Sequence, residues 1–140
     1  MAELHLERMI ILIADDDAEI RDIIKNYLMH FGFKIFLEAK DGSEAYRYIL
    51  DERQKIDLII SDWEMPRTDG LSLLRALRSH NTRSNIPFIM VTSQQSQEKL
   101  KISNAKKFAV NSYIIKPFRS ETLHEKVWQV LKLNEKLKAG

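Results

Sequence analysis

Acidic, hydroxyl and basic residues directly follow short apolar runs at four places in this 140-residue chain. Clustered carboxylates repel one another and favour a bound cation, and oxygen ligands in a partly hydrated site favour Mg²⁺. An aspartate carboxylate can also act as the nucleophile that accepts a phosphoryl group. The residue types therefore predict Mg²⁺-assisted phosphoryl transfer. The candidates are Asp15, Asp16 and Asp17 after the first run, Ser61 and Asp62 after the second, Thr92 and Ser93 after the third, and Lys116 with Pro117 after the last.

Strands alternating with helices would have to bring these residues together. Apolar runs at 9–13, 58–60, 88–91 and 113–115 lack a polar alternation, which indicates strands covered on both faces. A weaker run at 35–37 is typical of an edge strand. Helical spacing of apolar residues predicts helices over about 20–31, 43–54, 71–79, 95–107 and 119–137. We expect Gly32 to end the first helix, and the last helix to bury Leu123, Val127, Val130, Leu131 and Leu137.

The repeated order of strand and helix predicts an α/β fold, a doubly wound five-stranded parallel sheet with five helices. Such sheets bind ligands beyond the carboxyl ends of their strands, which is where the candidate residues stand. Each acid or hydroxyl alone could be a helix N-cap. Capping suits Asp17, but it explains neither Lys116 nor the clustering of the acids.

Composition narrows the class of protein. Hydrophobic residues make up 44% and charged residues 30%, as in a globular domain. The chain has no cysteine for disulfides or thiolate metal sites, no apolar run of the roughly 20 residues needed to span a bilayer, and no signal peptide pattern. We expect a cytoplasmic monomer with a tail at 1–8, one domain at 9–137 and a tail at 138–140.

Charge leaves the partner class open. The net charge of +2 is too small to predict nucleic-acid binding. The lysines concentrate late in the chain, where they form either solvated helix faces or a docking surface for an acidic partner.

Four pieces of sequence, each at the end of a predicted strand, resemble the signature of response-regulator receiver domains of the chemotaxis type. The resemblance covers about residues 9–133 and implies the flavodoxin-like strand order 2-1-3-4-5. The pieces are Ile13-Ala14-Asp15-Asp16 with Arg21 following, Ile60-Ser61-Asp62-Trp63-Glu64-Met65-Pro66 with Asp69-Gly70, Met90-Val91-Thr92, and Tyr113-Ile114-Ile115-Lys116-Pro117-Phe118.

The resemblance implies a role for each acid. Asp62 would be the phosphoacceptor. Asp16, Asp62 and the backbone carbonyl of Glu64 would bind Mg²⁺ directly, and Asp15 would act mainly through metal-bound water.

Further roles concern the response to phosphorylation. Lys116 would pair with the phosphoryl oxygens, and its peptide bond to Pro117 would be cis. Thr92 would donate its hydroxyl to the phosphoryl group. The rotamer of the Tyr113 ring would report the movement of Thr92 to the surface formed by the fourth helix, the fifth strand and the fifth helix. Glu64 and Gln94 would tune the phosphoryl lifetime. Two residues depart from the family pattern: Ala109 replaces a glycine, and Ser93 replaces an alanine.

The implied function is that of a phosphorylated switch rather than an enzyme. A histidine kinase would be the donor, and a docking partner such as a flagellar motor switch protein would be the target. Alternatives within the family are a phosphorelay intermediate, a receiver of another pathway and a fragment of a longer regulator. Outside it, Asp15-x-Asp17 resembles haloacid-dehalogenase-type phosphatases, but Ala18-Glu19 departs from that pattern and there is no room for a cap domain. A receiver-like module that is not phosphorylated and a cofactor-binding flavodoxin are further alternatives.

Overall fold

In the part of the chain that the structure describes, the sheet has five parallel strands in the order β2-β1-β3-β4-β5, which confirms the predicted fold class and strand order. The computed structural model describes residues 4–93, 103 and 106–139. The strands are β1 (Ile10–Ala14), β2 (Ile35–Ala39), β3 (Leu58–Asp62), β4 (Phe88–Thr92) and β5 (Ser112–Ile115).

Helices cover both faces of the sheet. In the described part of the chain they are α1 (Ala18–Phe31), α2 (Gly42–Leu50), α3 (Gly70–Arg78) and the C-terminal helix α4 (Ser120–Ala139), with a 3-10 turn at Leu6–Arg8. The helix predicted over 95–107 and the candidate Gln94 lie outside the described residues, apart from 103, 106 and 107. None of the helices that the structure describes combines the length and apolar character that a membrane span requires.

Alternate residues of each strand enter two separate core layers, which explains the continuous apolar runs. Leu12, Ile59 and Phe88 belong to the layer that holds the buried residues of α2 and α3. Their strand neighbours, such as Ile13 and Ile60, belong to the layer that packs against α1 and α4. The central strands are therefore buried on both faces.

Strand register brings the carboxyl ends of four strands into line. Ala14 pairs with Ser61, and Asp62 pairs with Val91. Across the last pair of strands, Thr92 lies opposite Ile115, and the backbone N–H of Lys116 donates to the Thr92 carbonyl at 2.7 Å. Residues that follow these strands consequently meet at one edge of the sheet.

Helix ends follow the local sequence in most places. Asp17 caps α1 by accepting a hydrogen bond from the Glu19 backbone N–H, as predicted, and Gly32 ends the helix with a φ of 121°. The prediction for α2 is wrong at its end, because the helix stops at Leu50 rather than at residue 54. Asp51 is extended there, and its side chain accepts a hydrogen bond from the Arg53 backbone N–H, which competes with the helix.

The prediction that Leu137 is buried is also wrong. Its side chain is 72% exposed. The buried stripe of α4 ends with Val130 and Leu131, and Leu137 instead lines an open surface cavity of about 490 Å³ together with Arg78 and Asn111.

Ala109, which replaces the glycine of the family pattern, adopts a left-handed backbone conformation with a φ of 56°, a region that favours glycine. Its carbonyl accepts hydrogen bonds from Arg78 Nε at 3.1 Å and Nη2 at 2.8 Å, which hold the turn in place. The left-handed conformation costs an alanine roughly 1–2 kcal/mol. Glycine would avoid this cost, but its greater entropy in the unfolded chain would offset part of the gain in stability.

Substituting Ala109→Gly is therefore expected to raise the free energy of unfolding by about 0.5–1 kcal/mol in urea titrations. Ala76→Gly inside α3 is the matched control, and it should lower the free energy of unfolding by about 1 kcal/mol. Destabilisation by both substitutions would show that the turn at Ala109 is not strained.

Candidate functional site

Three charged side chains from three strand ends meet at one edge of the sheet. Asp15 follows β1, Asp62 is the last residue of β3, and Lys116 follows β5. Lys116 Nζ lies 2.9 Å from Asp15 Oδ2 and 3.3 Å from Asp62 Oδ1. A single ammonium group thus bridges two carboxylates that stand 101 and 54 residues from it in the chain.

Both carboxylates bridged by Lys116 are buried. Asp15 is 1% exposed, and Asp62 is 7% exposed. The second oxygen of Asp15 accepts a hydrogen bond from the Asp17 backbone N–H at 2.9 Å, and the Asp15 backbone N–H donates to the Ala39 carbonyl at 3.0 Å. Protein partners therefore engage both carboxylate oxygens of Asp15.

Asp16 adds an exposed carboxylate to this pair. Asp15, Asp16 and Asp62 each offer one oxygen, and these oxygens lie within 4.8 Å of one another. Carboxylate oxygens are the ligands that Mg²⁺ prefers, and an exposed side leaves room for the waters that Mg²⁺ retains. The donor set fits a hard divalent cation.

Burial is the largest single influence on the pKa values of both Asp62 and Lys116. Burial and the charge of Asp15 raise the pKa of Asp62 to about 6, against the opposing effect of Lys116 and with a smaller contribution from Glu64. Burial alone would lower the pKa of Lys116, but its hydrogen bond to Asp15 and the charges of Asp62 and Asp15 outweigh it and raise the pKa. Lys116 is therefore cationic at neutral pH, and Asp62 carries a charge that its surroundings disfavour.

The hydroxyl candidates occupy different environments. Thr92 ends β4 and is 3% exposed. Ser61 is fully buried, and its hydroxyl donates to the Asp62 carbonyl at 2.9 Å. Ser93, the departure from the family pattern, lies on the exposed surface.

The other candidates lie around this centre. Glu64 is half-buried in the loop after β3. The Lys116–Pro117 peptide bond is cis. Tyr113 is half-buried on β5, and Lys126 Nζ of α4 lies 5.7 Å from the centre of its ring.

Two arginine contacts in the segments that follow the strand ends were not predicted from the sequence. Arg21 Nη1 donates to the backbone carbonyl of Asp15, and its Nε donates to Glu38 Oε1 at 3.1 Å. Arg67, in the loop after β3, pairs with the buried carboxylate of Asp41. Glu38 is an acid in an otherwise apolar edge strand, which was the available sequence signal that it has a specific contact. Nothing in the neighbouring sequence indicated that its partner is Arg21.

Comparison with known proteins matches residues 11–128 to the response regulator receiver domain. The chemotaxis protein CheY1 of Helicobacter pylori is 39% identical over 127 residues, which are 91% of this chain and 100% of that protein. A CheY homolog of Campylobacter jejuni is 38% identical over 88% of this chain and 92% of its own length. The structure of the chemotaxis response regulator CheY4 of Vibrio cholerae aligns with a TM-score of 0.77 at 31% identity, covering 88% of this chain and 98% of that one.

Proposed function

The chain belongs to the response regulator receiver domain family, and from that premise we propose that it is a two-component switch that accepts a phosphoryl group on Asp62. The observation that carries the proposal is the pairing of a buried Asp62 carboxylate with Lys116 Nζ at 3.3 Å, beside two further acids. Such a site combines a nucleophile, a place for a metal and a fixed positive charge, which are the main requirements of phosphoryl transfer.

Asp62 would act as the nucleophile toward a phosphohistidine of a histidine kinase. One carboxylate oxygen would bond to phosphorus while the phosphorus–nitrogen bond breaks, and the imidazole would leave with that electron pair. The product is an acyl phosphate. Lys116 would pair with the phosphoryl oxygens and stabilise their charge. The chain thereby assists its own phosphorylation.

The acids would hold Mg²⁺ with separate roles. Asp16, Asp62 and the backbone carbonyl of Glu64 would bind it directly, and Asp15 would act through a water. The contacts of Asp15 support the indirect role, because both of its carboxylate oxygens already have protein partners. When bound, the metal would neutralise charge on the phosphoryl oxygens.

Thr92 and Tyr113 would carry the signal away from Asp62. Phosphorylation adds roughly −1.5 to −2 charge, which would draw the Thr92 hydroxyl inward and leave space for the Tyr113 ring. The docking face would be formed by β5, α4 and the segment before β5. Glu64 and Gln94 would set the phosphoryl lifetime.

The named relatives are chemotaxis proteins, and we extend the proposal to that pathway. A flagellar motor switch protein would be the downstream partner, and the chain would work in the cytoplasm. Residues 9–137 would constitute the receiver domain.

Phosphorylation by acetyl phosphate tests the proposal. The chain is expected to gain one phosphoryl group in the presence of Mg²⁺ and none in the presence of a chelator, as read by intact-mass spectrometry. Asp62→Asn should abolish the modification. Asp17→Asn is the matched control, because it removes a carboxylate from the same edge while asparagine still caps α1. Equal modification of Asp62→Asn and the unsubstituted chain would refute the assignment of the nucleophile.

A further inference from the structure

Arg21 links the acidic loop after β1 to the edge strand of the sheet. It lies in the first turn of α1, and only 16% of its side chain is exposed. Nη1 donates to the backbone carbonyl of Asp15, and Nε donates to Glu38 Oε1 at 3.1 Å. Its planar guanidinium has several donors in a rigid arrangement, so these two contacts restrict its orientation.

Glu38 gives Arg21 a firm anchor. It lies on β2 opposite Ile13 of β1, and the backbone pairing of these two strands fixes its position. Lys25 Nζ donates to the other carboxylate oxygen, Oε2, at 3.1 Å. Burial alone would raise the pKa of Glu38, but the hydrogen bonds from Lys25 and Arg21 outweigh it and lower the pKa, so the anchor is ionised at neutral pH.

The contact with the Asp15 carbonyl affects both acids of the loop. A peptide unit is planar, so the direction of the Asp15 carbonyl also sets the plane through the backbone nitrogen of Asp16. The orientation of this plane constrains where the Asp15 and Asp16 side chains leave the backbone. Asp16 is exposed and supplies one of the three clustered carboxylates.

We propose that Arg21, anchored by Glu38, is a positioning residue that orients the Asp15–Asp16 peptide and thereby sets the affinity of the acid cluster for Mg²⁺. This inference rests on the Mg²⁺ site of the proposed function. Groups that orient metal ligands without touching the metal commonly contribute tenfold or more to metal affinity.

Charge and positioning predict opposite effects of removing Arg21. Loss of a cation that contacts the acidic loop through the Asp15 carbonyl strengthens the attraction of the site for Mg²⁺. Loss of the constraint on the peptide weakens binding, because the carboxylates must then be ordered when the metal binds. The sign of the change therefore separates the two effects.

The test is a Mg²⁺ titration of the full chain followed by tryptophan fluorescence, since Trp63 directly follows Asp62. Arg21→Gln is expected to weaken binding roughly tenfold. Lys25→Gln is the matched control: it removes the same charge from the same Glu38 at the same 3.1 Å distance, yet Lys25 makes no contact with Asp15 among those described. Its dissociation constant should stay within about twofold of the unsubstituted value or fall.

Arg21→Lys extends the test at constant charge. A lysine cannot reproduce the two directed contacts of the guanidinium, so binding should still weaken several-fold, whereas Lys25→Arg should leave it unchanged. If Arg21→Gln does not fold by circular dichroism, the Arg21→Lys and Lys25→Arg pair decides the question.

The outcomes separate the inference from the function on which it rests. Weaker Mg²⁺ binding by the Arg21 variants than by the Lys25 variants supports the positioning role. Equal or tighter binding by the Arg21 variants overturns it while leaving the Mg²⁺ site intact. Failure of the unsubstituted chain to bind Mg²⁺ would overturn the proposed metal site itself, and the positioning role with it.

Discussion

Substituting Asp62→Asn is expected to stabilise the metal-free protein by about 2 kcal/mol at pH 7.5. Burial and the charge of Asp15 raise the pKa of this carboxyl from 3.8 to about 6, so folding opposes its ionisation. A difference of that size corresponds to roughly 3 kcal/mol, which partial access of solvent to the site reduces to about 2 kcal/mol. Asparagine has a similar shape and avoids this cost. The residue proposed to carry function is thus expected to be unfavourable for stability.

The stability difference between Asp62→Asn and the unsubstituted chain depends on pH, because the pKa of Asp62 is raised on folding. The unfolded chain ionises the residue near pH 3.8 and the folded chain near pH 6, so the cost is absent below pH 3.8 and complete only above about pH 6. Urea unfolding in a chelator should therefore show a stability difference between Asp62→Asn and the unsubstituted chain that grows across this window.

Asp69→Asn is the control, since Asp69 caps α3 near the site and asparagine is an equally good cap. Its effect should not exceed about 0.5 kcal/mol at any of these pH values. A loss of stability in Asp62→Asn at pH 7.5 would contradict the prediction, because it would mean that the ion pair with Lys116 outweighs burial.

Substituting Lys116→Met is expected to have the opposite sign, with a loss of about 3 kcal/mol at pH 7.5 in the absence of metal. Lys116 bridges Asp15 and Asp62 with only 17% of its side chain exposed, and methionine would leave both buried carboxylates without their cation. Its pKa is raised on folding, so the stabilisation is present throughout neutral pH and is lost only as the pH rises above 10.5. On the acid side the loss should shrink as Asp62 takes up a proton below about pH 6.

Lys126→Met provides the same chemical change at a half-buried lysine that lies over the Tyr113 ring. Its effect on the free energy of unfolding should stay within about 1 kcal/mol. Mg²⁺ should recover part of the stability lost in Lys116→Met, because the metal would neutralise the same acids. Equal urea midpoints for the two lysine variants would indicate that the contacts of Lys116 contribute little to stability.

The alternation of apolar runs and helical patterns was enough to predict the class of fold. Runs such as 58–60 and 88–91 are buried on both faces because the sheet is covered on both sides, so their lack of alternation is a local sign of the global arrangement. Placement of Asp15, Asp62 and Lys116 at strand ends then predicted their meeting, since parallel strands end at the same edge. The strand order itself came from the resemblance to receiver domains, because periodicity carries no information on which strands are neighbours.

Contacts between distant segments depended on the tertiary structure. The carbonyl of Asp15 meets Arg21, and Arg21 meets Glu38, only because β1 and β2 pair in one particular register. Neither the left-handed turn at Ala109 nor the exposure of Leu137 follows from residue type, since each depends on what the surrounding chain supplies. The pKa of Asp62 belongs to the same group, because burial and the nearness of other charges are properties of the assembled site. Local sequence determines which elements form and which residues end them, whereas side-chain direction, burial and mutual distance are decided when those elements pack.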